Sequence, residues 1–378
     1  MSYKSFRSPG LILVLFVLIV FIAAGLSSPP ALSQPGDRSE FLQQPSVAPT
    51  PPARRGDIPE DSDDVIRVET NLTNIFFTAA DKSKRFINTL KQDDIRVYED
   101  GKLQEVFTFQ QNIDLPLSVA LLLDTSVSVE RTLPDEKAAA RSFLEAVVRS
   151  DKDEAAVISF TGEVVLEQGF SASLARLRNA IDRVEFVPPA GYIGGGVVVG
   201  GSQGTPPIFG RNNTLAGNTA VWDAVWVASN ELFLESAQNT RRAIILLTDG
   251  DDTISQVKMQ EAIESAQKAD AFVYAIGIGD SYRGGVDQGA LRKIADRTGG
   301  RAYFPRSEQE LREAFAQIQS DLREQYLLAY SPSNKARDGT YRDIKIEVVD
   351  PELRKSLKLN YRPGYFAKTS DPVRTTRP

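Results

Sequence analysis

The run Leu117-Ser118-Val119-Ala120-Leu121-Leu122-Leu123 carries no charge and ends in Asp124-Thr125-Ser126-Val127-Ser128. An apolar run of that length, rich in branched side chains, suits a strand buried on both faces, and such strands belong to parallel sheets covered by helices. The acid and the two hydroxyls, spaced i, i+2, i+4, then stand at the strand's C-terminal tip. Open α/β sheets bind their ligands outside those tips. Oxygen donors of this kind suit Mg²⁺, Mn²⁺ or Ca²⁺ rather than zinc or copper.

The surrounding pattern agrees. Strand and helix signals alternate from Leu115 to about Arg323, with strands expected at 117–124, 154–160, 164–168, 242–248, 271–277 and 301–304. Helices are expected at 134–149, 173–185, 219–235, 256–269, 287–298 and 307–323. That alternation predicts an α/β domain with a doubly wound, mostly parallel sheet and helices on both faces.

Two later segments offer more oxygen donors: Gly217-Asn218-Thr219-Ala220 opens a helix, and Leu246-Leu247-Thr248-Asp249-Gly250 ends a strand. Taken singly, each has a plainer reading. Asp and Ser cap helices, Thr219 can cap the helix that follows it, and Asp249-Gly250 makes a turn. Together, in order and on element ends, Asp124, Ser126, Ser128, Thr219 and Asp249 read as one metal site. Nearby, Asp251 and Asp252 read as a solvated loop, Asp223 as facing solvent or orienting the Thr219 loop, and Arg241-Arg242 as a surface pair. Nine glycines between 191 and 217 make a long loop leading into Thr219. It is expected to hang over the metal face and contribute to partner choice.

Flanking segments have β character. Val65–Leu72, Ile95–Tyr98 and Val106–Phe109 alternate as strands, with Glu99-Asp100-Gly101-Lys102 as a hairpin turn. Strands recur through 325–366 at Gln325–Tyr330, Tyr341–Val348 and Leu357–Tyr361. Residues 65–113 and 325–366 are expected to pair as a small β-sandwich-like module, with the α/β domain of 114–324 inserted between them and 367–378 as a disordered tail. At the other end, Lys4 and Arg7 precede the apolar stretch Leu11–Leu26, and Ala31-Leu32-Ser33 is a small-x-small site. Residues 1–33 therefore read as a signal peptide or an N-terminal membrane anchor, so this N-terminal segment meets the membrane. Residues 34–64 are a Pro-rich disordered linker. The expected location is extracytoplasmic: periplasmic, cell-envelope or secreted.

The chain contains no cysteine and no histidine, which excludes Ser-His-Asp and Cys-His catalysis, zinc ribbons and disulfides. Its formal net charge of −6 argues against nucleic acid as a partner.

The order D-x-S-x-S, then a distant Thr, then a distant Asp resembles the metal-ion-dependent adhesion site of von Willebrand factor A domains. Asp93-Asp94-Ile95-Arg96-Val97-Tyr98-Glu99-Asp100-Gly101, Leu115-Pro116-Leu117-Ser118-Val119, Tyr341-Arg342-Asp343-Ile344-Lys345 and Arg362-Pro363-Gly364-Tyr365 are similar to the related proteins abundant in Acidobacteria, over about residues 65–366. Val127 stands where that family usually has glycine. The resemblance implies that Ser126, Ser128 and Thr219 touch Mg²⁺ (or Mn²⁺ or Ca²⁺) directly, while Asp124 and Asp249 hold it through water. It implies a binding or adhesion module rather than an enzyme. A protein or peptide partner would supply an Asp or Glu to complete the coordination. Two other readings are an envelope scaffold with a purely structural cation and a divalent-metal hydrolase; the second lacks a histidine and a clear general base.

Overall fold

A computed structural model of the chain describes residues 72–83, 85–111, 114–188, 218–237, 240–279 and 285–369. The chain divides into Met1–Ile66 and Arg67–Pro378. The expected leader or anchor, the linker, the strand at 65–71 and the Gly-rich loop 191–217 lie outside the described residues. Among the described residues no helix is long and apolar enough to cross a membrane.

Four strands come first: β1 (Thr73–Asp81), β2 (Ile95–Glu99), β3 (Lys102–Gln104) and β4 (Val106–Gln111). The α/β unit then runs β5 (Leu117–Asp124), α1 (Leu133–Val147), β6 (Glu154–Phe160), β7 (Val164–Ser171), α2 (Leu174–Arg183), α3 (Val221–Asn230) and β8 (Arg241–Thr248). It continues with α4 (Met259–Lys268), β9 (Ala271–Gly277), α5 (Gln288–Thr298), β10 (Ala302–Tyr303) and α6 (Glu308–Arg323). The last elements are β11 (Tyr326–Tyr330), β12 (Tyr341–Val348), α7 (Pro351–Ser356), β13 (Leu357–Tyr361) and β14 (Gly364–Phe366).

The central sheet has six strands in the order β10-β9-β8-β5-β6-β7. Only the edge strand β7 is antiparallel. Every residue of β5 and of β9 is buried, as covering both faces requires. Side chains alternate across β5: Val119, Leu121 and Leu123 pack with α1, α2 and α6, while Ala120 and Leu122 pack with α3, α4 and α5. The sheet thus has three helices on each face, and the doubly wound architecture expected from the alternating pattern is present.

Strands on either side of this unit form two antiparallel sheets, β13-β1-β11-β4 and β14-β12-β2-β3. Each mixes segments from before and after the α/β unit, so that unit is an insertion. Ile75, Phe77, Val97, Tyr326, Leu328, Ile344 and Ile346 fill the space between the two sheets. The Phe77 and Tyr326 rings stack at 4.9 Å. Asp100 and Gly101 both take positive φ, 47° and 77°, in the tight β2–β3 turn.

Local readings differ from the structure in four places. The first described strand begins at Thr73, although its asparagine and alanines are weak strand formers; pairing on both edges, with β11 and β13, outweighs that propensity. Helix α7 breaks the expected β-run, with the Asp350 carboxylate capping the N–H groups of Glu352 and Leu353 and Pro351 in the first turn. Ala367, placed in the tail by sequence, donates to the Thr340 carbonyl at 2.9 Å, and Thr369 bridges Asp338. Arg241, read as a surface residue, is only 5% exposed. Its guanidinium donates to the carbonyls of Leu322 and Leu115 and to Gln325 Oε1. It therefore ties the start of β8 to both crossings between the α/β unit and the sandwich.

Candidate metal centre

β5 and β8 lie side by side and parallel, with Leu123 level with Leu247. The chain turns to β6 on one side of this pair and to β9 and β10 on the other, so the strand order reverses here. Asp124 ends β5, and Asp249 directly follows β8. Both carboxylates therefore stand at the topological switch point.

Asp124 is wholly buried. Its Oδ1 accepts the Ser126 N–H at 2.8 Å, and its Oδ2 accepts the Thr248 hydroxyl at 2.6 Å. The Val127–Val129 segment is a single 3-10 turn that swings Ser128 back over Ser126, and the two hydroxyl oxygens stand 2.9 Å apart. The Ser128 hydroxyl also lies near enough to the Asp249 carboxylate to favour its charged form. Asp124, Ser126 and Ser128 are thus joined through consecutive hydrogen bonds, with Asp249 beside Ser128. Asp249 is braced from β9: its carbonyl accepts the Asp287 N–H at 2.8 Å, and a Cβ on Gly279 would come within 2.8 Å of the Asp249 Cβ. Glycine at 279 is what lets that loop pass so close.

Thr219 comes to the same end of the sheet. The backbone at its position is held by the loop after β8, with its N–H on Thr253 Oγ1 at 2.7 Å and the Thr253 N–H on its carbonyl at 2.9 Å. Just past β6, the next residue, Ala220, donates to the Thr161 carbonyl at 2.6 Å. The Thr219 side chain makes no hydrogen bond among the described residues. The structure therefore brings together Asp124, Ser126, Ser128 and Asp249 by direct contact and Thr219 by its supporting loops.

Of two neighbouring acids, Asp252 departs from the sequence reading and Asp223 takes one of the two roles expected of it. Asp252 is not a solvated loop residue: its Oδ1 accepts the Val221 N–H at 2.8 Å and the Ser255 hydroxyl, capping α3. Asp223 accepts the N–H groups of Gln256 and Val257 at 3.1 and 3.0 Å, so it orients the loop that holds Thr219.

Sequence reasoning missed Glu136 altogether. It falls in the buried stripe Leu133, Glu136, Ala140, Phe143, Val147 of α1 and is 0% exposed. An acid in a core-facing stripe was the available signal. Its Oε1 accepts the Thr132 hydroxyl at 2.7 Å, while Oε2 has no hydrogen-bond partner.

Burial governs the electrostatics. It pushes Asp124 up to about 7, opposed by the Thr248 hydroxyl and raised further by the charge of Asp249. Burial also raises Asp249, opposed by the Ser128 hydroxyl. Glu136 is pushed up to about 8 by burial, with Thr132 opposing and Asp124 and Asp249 adding repulsion. Among the described residues no Lys or Arg pairs with any of these three acids. Acidic charge is concentrated at one end of the sheet without its counter-charge.

The donor set fits a hard divalent ion. Two oxygens on one octahedral Mg²⁺ at 2.0–2.1 Å stand about 2.9 Å apart, and the Ser126 and Ser128 hydroxyls are 2.9 Å apart. Such an ion would be held by Asp124, Ser126, Ser128, Thr219 and Asp249 and would supply an electron-poor centre for one more oxygen ligand. A cleft of about 820 Å³ elsewhere, lined by Phe76, Arg241, Lys268 and Arg362, includes none of these residues.

A family model for the von Willebrand factor type A domain matches residues 211–317, which include Thr219 and Asp249. No curated protein matches the chain. Among solved structures, proximal thread matrix protein 1 from the mussel byssus is 19% identical, with a TM-score of 0.44, covering 60% of this chain and 51% of its own. A form of that protein with a zinc-occupied MIDAS motif is 16% identical, at a TM-score of 0.41 and 56% and 49% coverage. The conserved hypothetical protein BatB from Bacteroides thetaiotaomicron is 16% identical, with a TM-score of 0.36, covering 55% of this chain and 98% of BatB. The chain spans about half the length of the mussel protein it matches. With TM-scores below 0.5, none of these structures bears on function. The inserted α/β unit has the von Willebrand A-type fold, and over residues 211–317 it carries the sequence pattern of the von Willebrand factor type A domain.

Proposed function

We propose that this protein is an exported, metal-ion-dependent binding module. Ser126, Ser128 and Thr219 hold Mg²⁺ through their hydroxyls, and Asp124 and Asp249 hold it through bound water. Two carboxylates balance a divalent ion, and neutral hydroxyls leave it attractive to one more anionic oxygen. That oxygen comes from an Asp or Glu of a protein or peptide partner. The process is ligation, not turnover. The N-terminal segment carries the domain out of the cytoplasm as a leader or an anchor.

One observation carries this reading: the hydrogen-bonded row Asp124–Ser126–Ser128 with Asp249 beside it at the β5/β8 switch point, and no basic partner among the described residues. Its test is capture of the full-length chain on glutamate-bearing peptide arrays with Mg²⁺ and with EDTA. Retention that requires Mg²⁺ and disappears in Asp249→Ala supports it. Retention indifferent to both refutes it.

A further inference from the structure

Glu136 is the one buried acid at this end of the sheet that the proposed site does not use. Its carboxylate is wholly enclosed, one oxygen is held by Thr132, and the other has no partner among the described residues. The Thr132 hydroxyl that holds it also donates to the Val129 carbonyl at 3.1 Å, and the Val129 N–H bonds the Ser126 carbonyl at 3.2 Å, so Glu136 stands behind the serine turn on the α1 side. Burying a carboxylate without a counter-charge is costly, and such a group persists where something compensates it. No Lys or Arg among the described residues does so. A divalent ion between Asp124 and Asp249 would.

Resting on the reading above, we infer that Glu136 is a third carboxylate of the metal centre, one that positions the cation and adds negative charge from behind the serine turn without touching it. Among the described residues no three acids are grouped closely enough to chelate an ion together. Glu136 therefore acts at one remove, through the serine turn or an enclosed water. Outer carboxylates of this kind change metal affinity by roughly 10–100-fold. Two directly facing acids neutralise the ion, and the third makes the loaded centre net negative. The cation is held more tightly, and the incoming carboxylate of a partner is attracted less.

The experiment is a Mg²⁺ titration of the full-length chain, wild type and Glu136→Gln, by thermal unfolding and by calorimetry, with acetate as the probe carboxylate. Without metal at pH 9, where Glu136 is ionised, Glu136→Gln should melt higher than wild type, because a buried charge is gone. Its Kd for Mg²⁺ should rise about tenfold, and acetate should bind the loaded variant more tightly. A merely structural Glu136 would change the melting temperature and leave the Mg²⁺ Kd within twofold, which overturns the inference while the metal site stands. No Mg²⁺ response in wild type overturns both together. Should Glu136→Gln fail to fold, Thr132→Val removes only the hydroxyl that holds the carboxylate. It must then weaken Mg²⁺ in the same direction, and an unchanged Kd again refutes the inference.

Discussion

Asp124→Asn tests whether the buried acids are a liability that only a cation relieves. Burial moves Asp124 from an ordinary 3.8 to about 7, so keeping it ionised at pH 8 costs the metal-free fold roughly 4 kcal/mol. Asparagine has nearly the same shape but only one acceptor oxygen. It keeps either the Ser126 N–H bond or the Thr248 hydroxyl bond and loses the other, at about 1 kcal/mol. The variant should therefore be more stable than wild type by roughly 2–3 kcal/mol without metal, a rise of several degrees in Tm for a unit of this size. Mg²⁺ reverses the order. At 100-fold excess over Kd a native-state ligand adds about 2.7 kcal/mol, and at 1,000-fold about 4.1, which only the wild type can gain. Thermal unfolding in EDTA and across a Mg²⁺ series should give two curves that cross. The reasoning fails if the variant melts below wild type in EDTA at pH 8, or if its Tm climbs with Mg²⁺ as the wild type does.

The same acids set a pH dependence. Asp124 and Glu136 have folded-state values raised above their unfolded ones, so their contribution is fully present below about pH 4 and is lost as pH rises through about 7 to 8, and Asp249, also raised, acts in the same direction. Metal-free stability should fall over that window, and saturating Mg²⁺ should flatten the fall; denaturant midpoints at pH 5 and 8 with and without Mg²⁺ measure both. Thr219→Ala should weaken Mg²⁺ binding by calorimetry while leaving the metal-free Tm within a degree or two, since its side chain makes no hydrogen bond among the described residues. Asp252→Ala removes the α3 cap and should cost about 1–2 kcal/mol in urea unfolding. Arg241→Met should cost about 2–3 kcal/mol by the same measure, leaving buried carbonyls unsatisfied, with Mg²⁺ affinity unchanged.

The α/β unit was legible because its strands are long, apolar and covered on both faces, so composition alone separates them from the amphipathic helices. Asp124, Ser126, Ser128, Thr219 and Asp249 were legible because each sits at an element end, where a strand or helix signal stops. Interactions set by distant segments were not. Arg241 looks solvent-facing until Leu322 and Gln325 arrive from α6 and its exit. Asp252 looks like loop until the start of α3 comes within reach of its carboxylate. Glu136 is hidden differently: it is the one acid in the buried stripe of α1, and the apolar spacing around it reads as ordinary core.

The two crossings between the α/β unit and the sandwich have a mechanical consequence. The chain leaves from β4 and returns into β11, and Gln111 and Tyr326 are opposite each other in the ladder. Both threads therefore meet the sandwich at one rung. Tension applied at the α/β unit pulls β11 from its Tyr326 end, while tension on the chain before Thr73 pulls β1 from the end opposite Tyr330. The paired strands are thus drawn past each other lengthwise, and the five rungs from Thr73 to Phe77 share the load instead of opening one at a time. Rupture by this route demands the simultaneous loss of a whole ladder.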